Sequence, residues 1–243
     1  MSQPLIQRDT FVVMSYAKRS DLPEQFRRWQ GVRYAERFVE YVLDRFTQPG
    51  DVVLDPFAGF GTSLIVAEEM GRIPFGIEFL EDRCDFIRTK LRTKENVIQG
   101  DARELSSYDI PQVDLVLTGP PYGFSDTDVN PLSAYTSPGV YADYMADIRR
   151  VFAQVAAKLI PGGRTIIEAA NIRDKRGRVT PLAWDIAREV STVLTFDGEI
   201  VFGWEDGYAY DYDHSYCMLF SNGDTKEDTD NNAMQSDART SRR

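Results

Sequence analysis

An α/β fold built on a doubly wound, mainly parallel sheet is what this sequence predicts, and three observations predict it. From Asp51 onward, short β-branched runs alternate with amphipathic stretches of helical period. Turns containing glycine or proline separate these runs at the spacing of βαβ units. Near the end, two strand-like runs follow one another and can pair as a hairpin.

Each element has its own signal. The first fifty residues are less periodic, yet Tyr34, Phe38, Tyr41, Val42 and Phe46 share one helical face, so a helix is expected there, packed beside the first strand. The first strand is expected over 52–54, ending at Asp55. A glycine-containing turn then leads to a helix over 63–70 that stops at Gly71, a suitable C-terminal cap. A strand over 74–78, a helix over 80–91, a strand over 97–99 and a strand over 113–117 bounded by Pro111 follow. A Ser/Asp/Pro/Gly-containing loop over 123–139 precedes a long helix over 141–159, expected to close at Pro161-Gly162-Gly163. A fifth strand is expected over 165–169. Thr180-Pro181 reads as a helix start, with threonine at the cap and proline in the first turn. The final strands are expected over 199–204 and 215–219. These divisions give an N-terminal extension over 1–32, one domain over 33–220 and a polar, disordered tail over 221–243.

Composition narrows the class. With 243 residues, 42% hydrophobic and 12% aromatic, the chain can bury one sizeable core. No run approaches the roughly 20 apolar residues of a membrane span, and MSQPLIQRDT is no secretory leader, so a soluble, cytoplasmic protein with no membrane partner is expected. Cys84 and Cys217 stand in unrelated apolar contexts and read as reduced packing residues, not as a disulfide or a metal site. The formal charge of −10 disfavours phosphate contacts in general. A local basic face would then be needed for nucleic acid, and Arg173, Lys175, Arg176 and Arg178 form one candidate, with a solvated loop as the equal alternative.

Two motifs carry chemistry. Asp55-Pro56-Phe57-Ala58-Gly59-Phe60-Gly61-Thr62 occupies the turn from strand one to helix one, the ligand crevice of doubly wound sheets, where glycines permit close backbone approach. Glu78, 19 positions after Gly59, stands where a ribose-hydroxyl acceptor is expected, and Asp101 follows the third strand. Carboxylates at three successive strand ends suit an adenosine-containing ligand of positive charge and would repel a pyrophosphate. Singly, each piece has a plain counterpart in turns and helix caps; in order, they favour a cofactor site. The second motif is Thr118-Gly119-Pro120-Pro121-Tyr122, after the fourth strand and so on the same edge. Two prolines fix the backbone and leave carbonyls able to accept from an amino group, and Tyr122 offers a ring for stacking on a planar base.

DPFAGFGT and GPPY together resemble the cofactor-binding and catalytic motifs of the N6-adenine and N4-cytosine DNA methyltransferases and their RNA amino-methylating relatives. The resemblance covers roughly 33–220, with the cofactor motif first. It implies a seven-stranded, Rossmann-like methyltransferase sheet with a reversed terminal hairpin. It also implies S-adenosyl-L-methionine as cofactor, Asp55, Pro56, Phe57, Gly59, Gly61, Thr62, Glu78 and Asp101 as its contacts, and Gly119, Pro120, Pro121 and Tyr122 as the catalytic segment. No metal is called for. One position departs from the pattern: the family places Asp, Asn or Ser before PPY to accept from the target amine, and this chain has Gly119. Thr118, Asp126 or the Pro120 carbonyl would have to compensate.

The substrate expected on these grounds is nucleic acid, DNA ahead of RNA, with the base flipped or presented in a single strand. The insert after PPY is only about twenty residues, short for a sequence-reading module, so target choice falls to shape or to a protein partner. Three classes stay open: a DNA amino-methyltransferase, an RNA enzyme of the guanine-N2 kind, and a catalytically weak subunit that keeps the cofactor fold. His214, the single histidine, lies in an aromatic-rich turn and is expected to pack that loop.

Overall fold

The computed structural model describes residues 6–19, 21–205, 207 and 212–223. The expected tail beyond 223, and residues 208–211 of the aromatic turn, lie outside them. In chain order the elements are β1 (Ile6–Arg8), β2 (Phe11–Met14), α1 (Glu36–Phe46), β3 (Val52–Asp55), α2 (Thr62–Glu69), β4 (Ile73–Glu78), α3 (Glu81–Arg88), β5 (Val97–Gln99), β6 (Val113–Thr118), α4 (Tyr141–Lys158), β7 (Leu159–Ala169), β8 (Ile172–Arg173), β9 (Val179–Thr180), α5 (Leu182–Val190), β10 (Thr195–Trp204) and β11 (His214–Ser221). Short 3-10 helices at Glu24–Val32, Lys94–Asn96, Ala102–Ser107 and Pro131–Ser133 fill the connections.

Among the described residues, nine strands form one sheet in the order β1-β2-β10-β11-β7-β6-β3-β4-β5, and β8 and β9 pair separately. The seven strands from β10 to β5 are those read from the sequence. Five of them, β3 to β7, run parallel, whereas β11 is antiparallel to both β7 and β10. The hairpin is therefore reversed, as expected. Residues 6–14 add two strands that the weak N-terminal periodicity did not announce: β2 pairs parallel with β10 from Val201↔Phe11 to Trp204↔Met14. This addition covers what would be an open sheet edge at β10.

Alternation along the strands sorts the two faces. Val53, Leu115, Leu117 and Ile166 pack with Phe38, Val42 and Val66 of α1 and α2. Their neighbours Leu54, Val116 and Ile167 point the other way, into Ile148, Phe152 and Ile186 of α4 and α5. Each such fully buried side chain contributes on the order of 1.5–3 kcal/mol. Helix α1 reaches β3 through Val53 as expected, and also β10, since the Phe38 and Phe202 rings meet edge to face at 5.0 Å. Arg72 ties this face together: only 8% exposed, it donates to the carbonyls of Leu43 (3.1 Å), Thr47 (2.9 Å) and Met70 (2.7 Å) around the C-terminal ends of α1 and α2.

Two boundaries differ from expectation. Helix α4 stops at Lys158, and Pro161-Gly162-Gly163 lies inside β7. Leu159 already pairs with Val113, and the register then shifts between Val113 and Leu115, so the Pro-Gly-Gly run is an irregularity within the strand. Pro181, not Thr180, is the cap position of α5. Thr180 is engaged elsewhere: its Oγ1 accepts from the Ser125 N–H at 3.0 Å and pins the loop after PPY.

Strand order reverses between β3 and β6, which leave for β4 on one side and β7 on the other. A crevice opens at the carboxyl ends of strands at such a switch point. DPFAGFGT leaves β3 there and GPPY leaves β6.

Candidate active site

The turn after β3 is built around a buried carboxylate. Asp55 Oδ1 accepts from the Phe57 N–H at 3.0 Å and from the Thr118 hydroxyl at 2.6 Å, while Oδ2 accepts from the Ser63 hydroxyl. Burial pushes its pKa up to about 6, against the lowering effect of those three donors. Beyond it, Gly59 (φ 57°) and Gly61 (φ 72°) adopt left-handed backbone, and a Cβ on Gly61 would come within 2.8 Å of Ile87. Both conformations favour glycine, and at Gly61 the Ile87 contact adds a steric reason.

Glu78 closes the turn from the next strand. Its Oε2 accepts from the Gly59 N–H at 2.8 Å and its Oε1 from the Leu80 N–H at 2.9 Å. Burial raises its pKa, opposed by those donors and by Arg83. Each carboxylate oxygen still has a second lone pair to offer a ligand. Asp101 is placed differently: both its oxygens accept from Arg103, at 2.6–3.0 Å, and Arg103 also reaches Asp147 at 3.1 Å.

The GPPY segment is held by tyrosines. Tyr144 donates to the Pro121 carbonyl and Tyr135 to the Tyr122 carbonyl, each at 2.8 Å, and the Tyr122 hydroxyl accepts from the Ala170 N–H at 3.0 Å. Tyr122 is thus fixed at both ends, with its ring at the cavity wall. Ala134 and Tyr135 take left-handed backbone (φ 51° and 62°), an unusual conformation for side-chain-bearing residues that turns Tyr135 toward the same cavity.

These segments enclose a cavity of about 290 Å³. Of the residues expected at the site, Phe57, Gly59, Thr62, Glu78, Gly119, Pro120, Pro121 and Tyr122 line it. Asp55, Pro56, Gly61 and Asp101 do not: Asp55 and Asp101 are turned into the hydrogen bonds just described. Phe79, Leu80 and Ala102 supply apolar wall beside Glu78. A carboxylate, Glu78, beside this apolar surface suits an adenosine-type ligand with a positive charge.

The rest of the wall comes from residues that no motif marked. Tyr16, Trp29, Arg33 and Tyr34 descend from the N-terminal segment, and Glu168 from the end of β7. Arg83 lies over the rings of Trp29 (5.1 Å) and Phe60 (4.7 Å). Lys18 sits over the Tyr16 ring at 3.0 Å, and burial, helped by Arg33, lowers its pKa to about 7. Of these residues only Tyr34 stands out in the sequence, through its spacing with Phe38, Tyr41, Val42 and Phe46, and that spacing identifies a helix face, not a cavity wall.

Of the three groups considered as substitutes for an acceptor at Gly119, the side chains of Thr118 and Asp126 are engaged elsewhere, and the Pro120 carbonyl is the one left. Thr118 donates to Asp55, and Asp126 pairs with Arg178, which also binds Asp174 at 2.7 Å. That pairing also offsets one charge of the basic run at 173–178. His214 contacts Tyr216 through Nε2 at 3.3 Å and is absent from the cavity wall. Cys84 and Cys217 are free, buried thiols in separate clusters, and no metal-ligand cluster occurs among the described residues. No helix among them is long and apolar enough to cross a membrane.

Residues 14–89 match the N6_N4_Mtase family, described as DNA methylase. The match contains the DPFAGFGT turn and Glu78, ends before GPPY, and bears out the resemblance to the DNA amino-methyltransferases. The chain is 37% identical over 59 residues to the Type II methyltransferase M.BamHI of Bacillus amyloliquefaciens, covering 24% of this chain and 14% of that protein. It is 32% identical over 77 residues to the Type II methyltransferase M2.DpnII of Streptococcus pneumoniae, covering 30% and 28%. The matches therefore span less than a third of the length of these curated relatives. Among solved structures, TrmN from Thermus thermophilus superposes with a TM-score of 0.55 at 18% identity, covering 76% of this chain and 48% of that one. A methyltransferase from Pyrococcus furiosus gives 0.53 at 14% identity, covering 78% and 83%. The sheet is thus the Rossmann-like sheet of methyltransferases.

Proposed function

We propose that this chain is an S-adenosylmethionine-dependent methyltransferase that methylates an exocyclic amine of a nucleic-acid base, adenine N6 or cytosine N4 of DNA. One observation carries the reading: the glycine turn after β3 and the PPY segment after β6 line a single cavity and are joined beneath it by the Asp55–Thr118 hydrogen bond. The family match over 14–89 and the Type II methyltransferase relatives support DNA as the substrate.

When bound, S-adenosylmethionine supplies an electrophilic methyl group. The chain's own residues then have to bind, orient and exclude water. Glu78 accepts from ribose hydroxyls, and Phe57, Phe79 and Leu80 shelter the planar ring. Gly59 and Gly61 let the backbone approach, with Thr62 at the first turn of α2. On the substrate side the Pro120 carbonyl accepts from the target amine and the fixed Tyr122 ring stacks on the base. Alignment of the amine with the methyl group is the main catalytic contribution, because holding reacting atoms at near-attack distance removes most of the entropic barrier. The new nitrogen–carbon bond would form as the sulfur–carbon bond of the sulfonium breaks, leaving the neutral thioether, and the methylated nitrogen would give up one proton to bulk water as the product leaves the cavity.

Two measurements test the reading. Calorimetric titration of S-adenosylmethionine is expected to show micromolar binding that Glu78→Ala abolishes. Transfer of a labelled methyl group is expected to DNA rather than RNA, with the label on adenine N6 or cytosine N4. Transfer confined to RNA would redirect the substrate assignment, and binding without transfer to either would indicate a cofactor-holding subunit.

A further inference from the structure

Gly119 leaves a gap in the catalytic segment, and the fold fills it with another residue. A Cβ placed on Gly119 would lie 2.5 Å from the Tyr34 hydroxyl oxygen, 3.1 Å from its Cζ and 3.2 Å from the Glu168 carbonyl oxygen. The space that an Asp, Asn or Ser side chain would need is therefore occupied by the phenol of Tyr34, brought in from the segment just before α1. Tyr34 and Gly119 both line the cavity, beside Pro120 and Tyr122. Among the described residues, the Tyr34 hydroxyl is shielded from solvent and has no hydrogen-bond partner. A buried hydroxyl without a partner is costly to the folded chain, and such groups concentrate at functional sites.

We infer that the Tyr34 hydroxyl is the acceptor for the target amine, standing in for the side chain that Gly119 lacks and acting together with the Pro120 carbonyl. This role rests on the activity proposed above. The arriving N–H gives the hydroxyl its first hydrogen bond instead of exchanging one with water, so its desolvation is already met before substrate binds. Burial, reinforced by the nearby Asp55 and Glu168 carboxylates, holds the phenol well above its ordinary pKa. It is a neutral hydroxyl at working pH and acts by orienting the amine, not as a base. The same geometry accounts for glycine before PPY: tyrosine oxygen and a Cβ cannot share the slot. Acceptor and glycine form a matched pair drawn from distant parts of the chain.

The test uses full-length Tyr34→Phe, Gly119→Ser and the double variant. Cofactor affinity is read by calorimetry, and methyl transfer by single-turnover rate on the nucleic acid the wild type methylates. Tyr34→Phe is nearly isosteric and is expected to bind S-adenosylmethionine as the wild type does, while its transfer rate falls on the order of 10²-fold. Gly119→Ser alone is expected to fall by about the same factor, because its side chain collides with the tyrosine oxygen. The double variant removes that oxygen and restores an acceptor; its remaining contacts at 3.1 and 3.2 Å need shifts of a few tenths of an ångström. Its rate is expected to return to within about tenfold of wild type, the non-additivity expected of two groups sharing one slot. Wild-type rates in Tyr34→Phe, or a double variant no faster than Tyr34→Phe, would overturn the acceptor role. If the wild type itself transfers no methyl group to any nucleic acid, the proposed activity fails and this role with it, an outcome distinct from an active wild type with an equally active Tyr34→Phe.

Discussion

The Asp55 carboxylate and the Thr118 hydroxyl lie 2.6 Å apart across 63 positions of sequence, both fully buried. This hydrogen bond joins the carboxyl ends of β3 and β6, which pair in parallel at Val53↔Leu115 and Leu54↔Val116. Asp55 thereby sets the height of the glycine turn relative to the PPY segment. Its contribution to a ligand site is made through the backbone it holds, since its own oxygens are taken by Phe57, Ser63 and Thr118.

Asp55 also gives stability a defined pH dependence. Its folded pKa of about 6 lies above the ordinary 3.8, so between these values the folded chain keeps a proton that the unfolded chain has released. The associated stabilisation is fully present below about pH 4 and is lost as pH rises through 6, a change on the order of 3 kcal/mol. Asp55→Asn cannot titrate. Denaturant unfolding at pH 4, 5, 6 and 7 is therefore expected to show wild-type stability falling relative to the Asn variant across this window; parallel curves would contradict it.

Glu78→Gln separates ligand binding from folding. Glutamine keeps one acceptor oxygen, so one of the Gly59 and Leu80 N–H groups loses its partner. A stability cost of about 1–2 kcal/mol is expected. Calorimetric affinity for S-adenosylmethionine is expected to fall by about tenfold or more, since 1.4 kcal/mol is a factor of ten. Unchanged affinity would remove Glu78 from the cofactor contacts.

Arg72→Met tests the tie between α1 and α2. The substitution keeps an apolar stem and strips the guanidinium from the carbonyls of Leu43, Thr47 and Met70 and from the Thr47 hydroxyl. A loss of about 2–4 kcal/mol is expected in chemical denaturation. Because α1 follows directly on Tyr34, methyl transfer is expected to weaken as well, and a fully active variant of wild-type stability would show that the tie is dispensable.

Gly76→Ala probes packing under the site. A Cβ there would approach Leu64 Cδ1 to 2.4 Å and the Ala58 Cβ to 3.2 Å, so the buried Leu64 side chain of α2 would have to move. Overpacking of this kind costs about 1–3 kcal/mol. The melting temperature is expected to drop by several degrees, read by circular dichroism with and without S-adenosylmethionine.

Much of the architecture is readable before any coordinates because it depends on local order. β-branched runs ending in Asp55 and Glu78, the left-handed Gly71 after α2 and the paired final strands follow from side-chain period and backbone preference, which act within a few residues. The order of DPFAGFGT and GPPY on strands one and four likewise places them at one sheet edge. Where local signals compete, they mislead: Pro161-Gly162-Gly163 reads as a helix stop, yet pairing of Leu159 with Val113 draws it into β7. Residues 6–14 carry too short a pattern to announce strands, and they become strands through the exposed edge of β10.

The side chains around the reacting position are another matter. Residue order alone specifies that Gly119 precedes PPY and spaces Tyr34 as if on one helical face with Phe38, although α1 begins only at Glu36, and nothing in that spacing relates Tyr34 to Gly119. Only the packing of α1 against β3 and β10 brings the Tyr34 oxygen into the slot above Gly119, and only the strand reversal between β3 and β6 sets that slot beside the glycine turn. Motifs record the backbone a site needs, because backbone demands are local; which side chain fills the space left by a missing one is decided by volume, and volume is shared among residues that meet only in the folded chain.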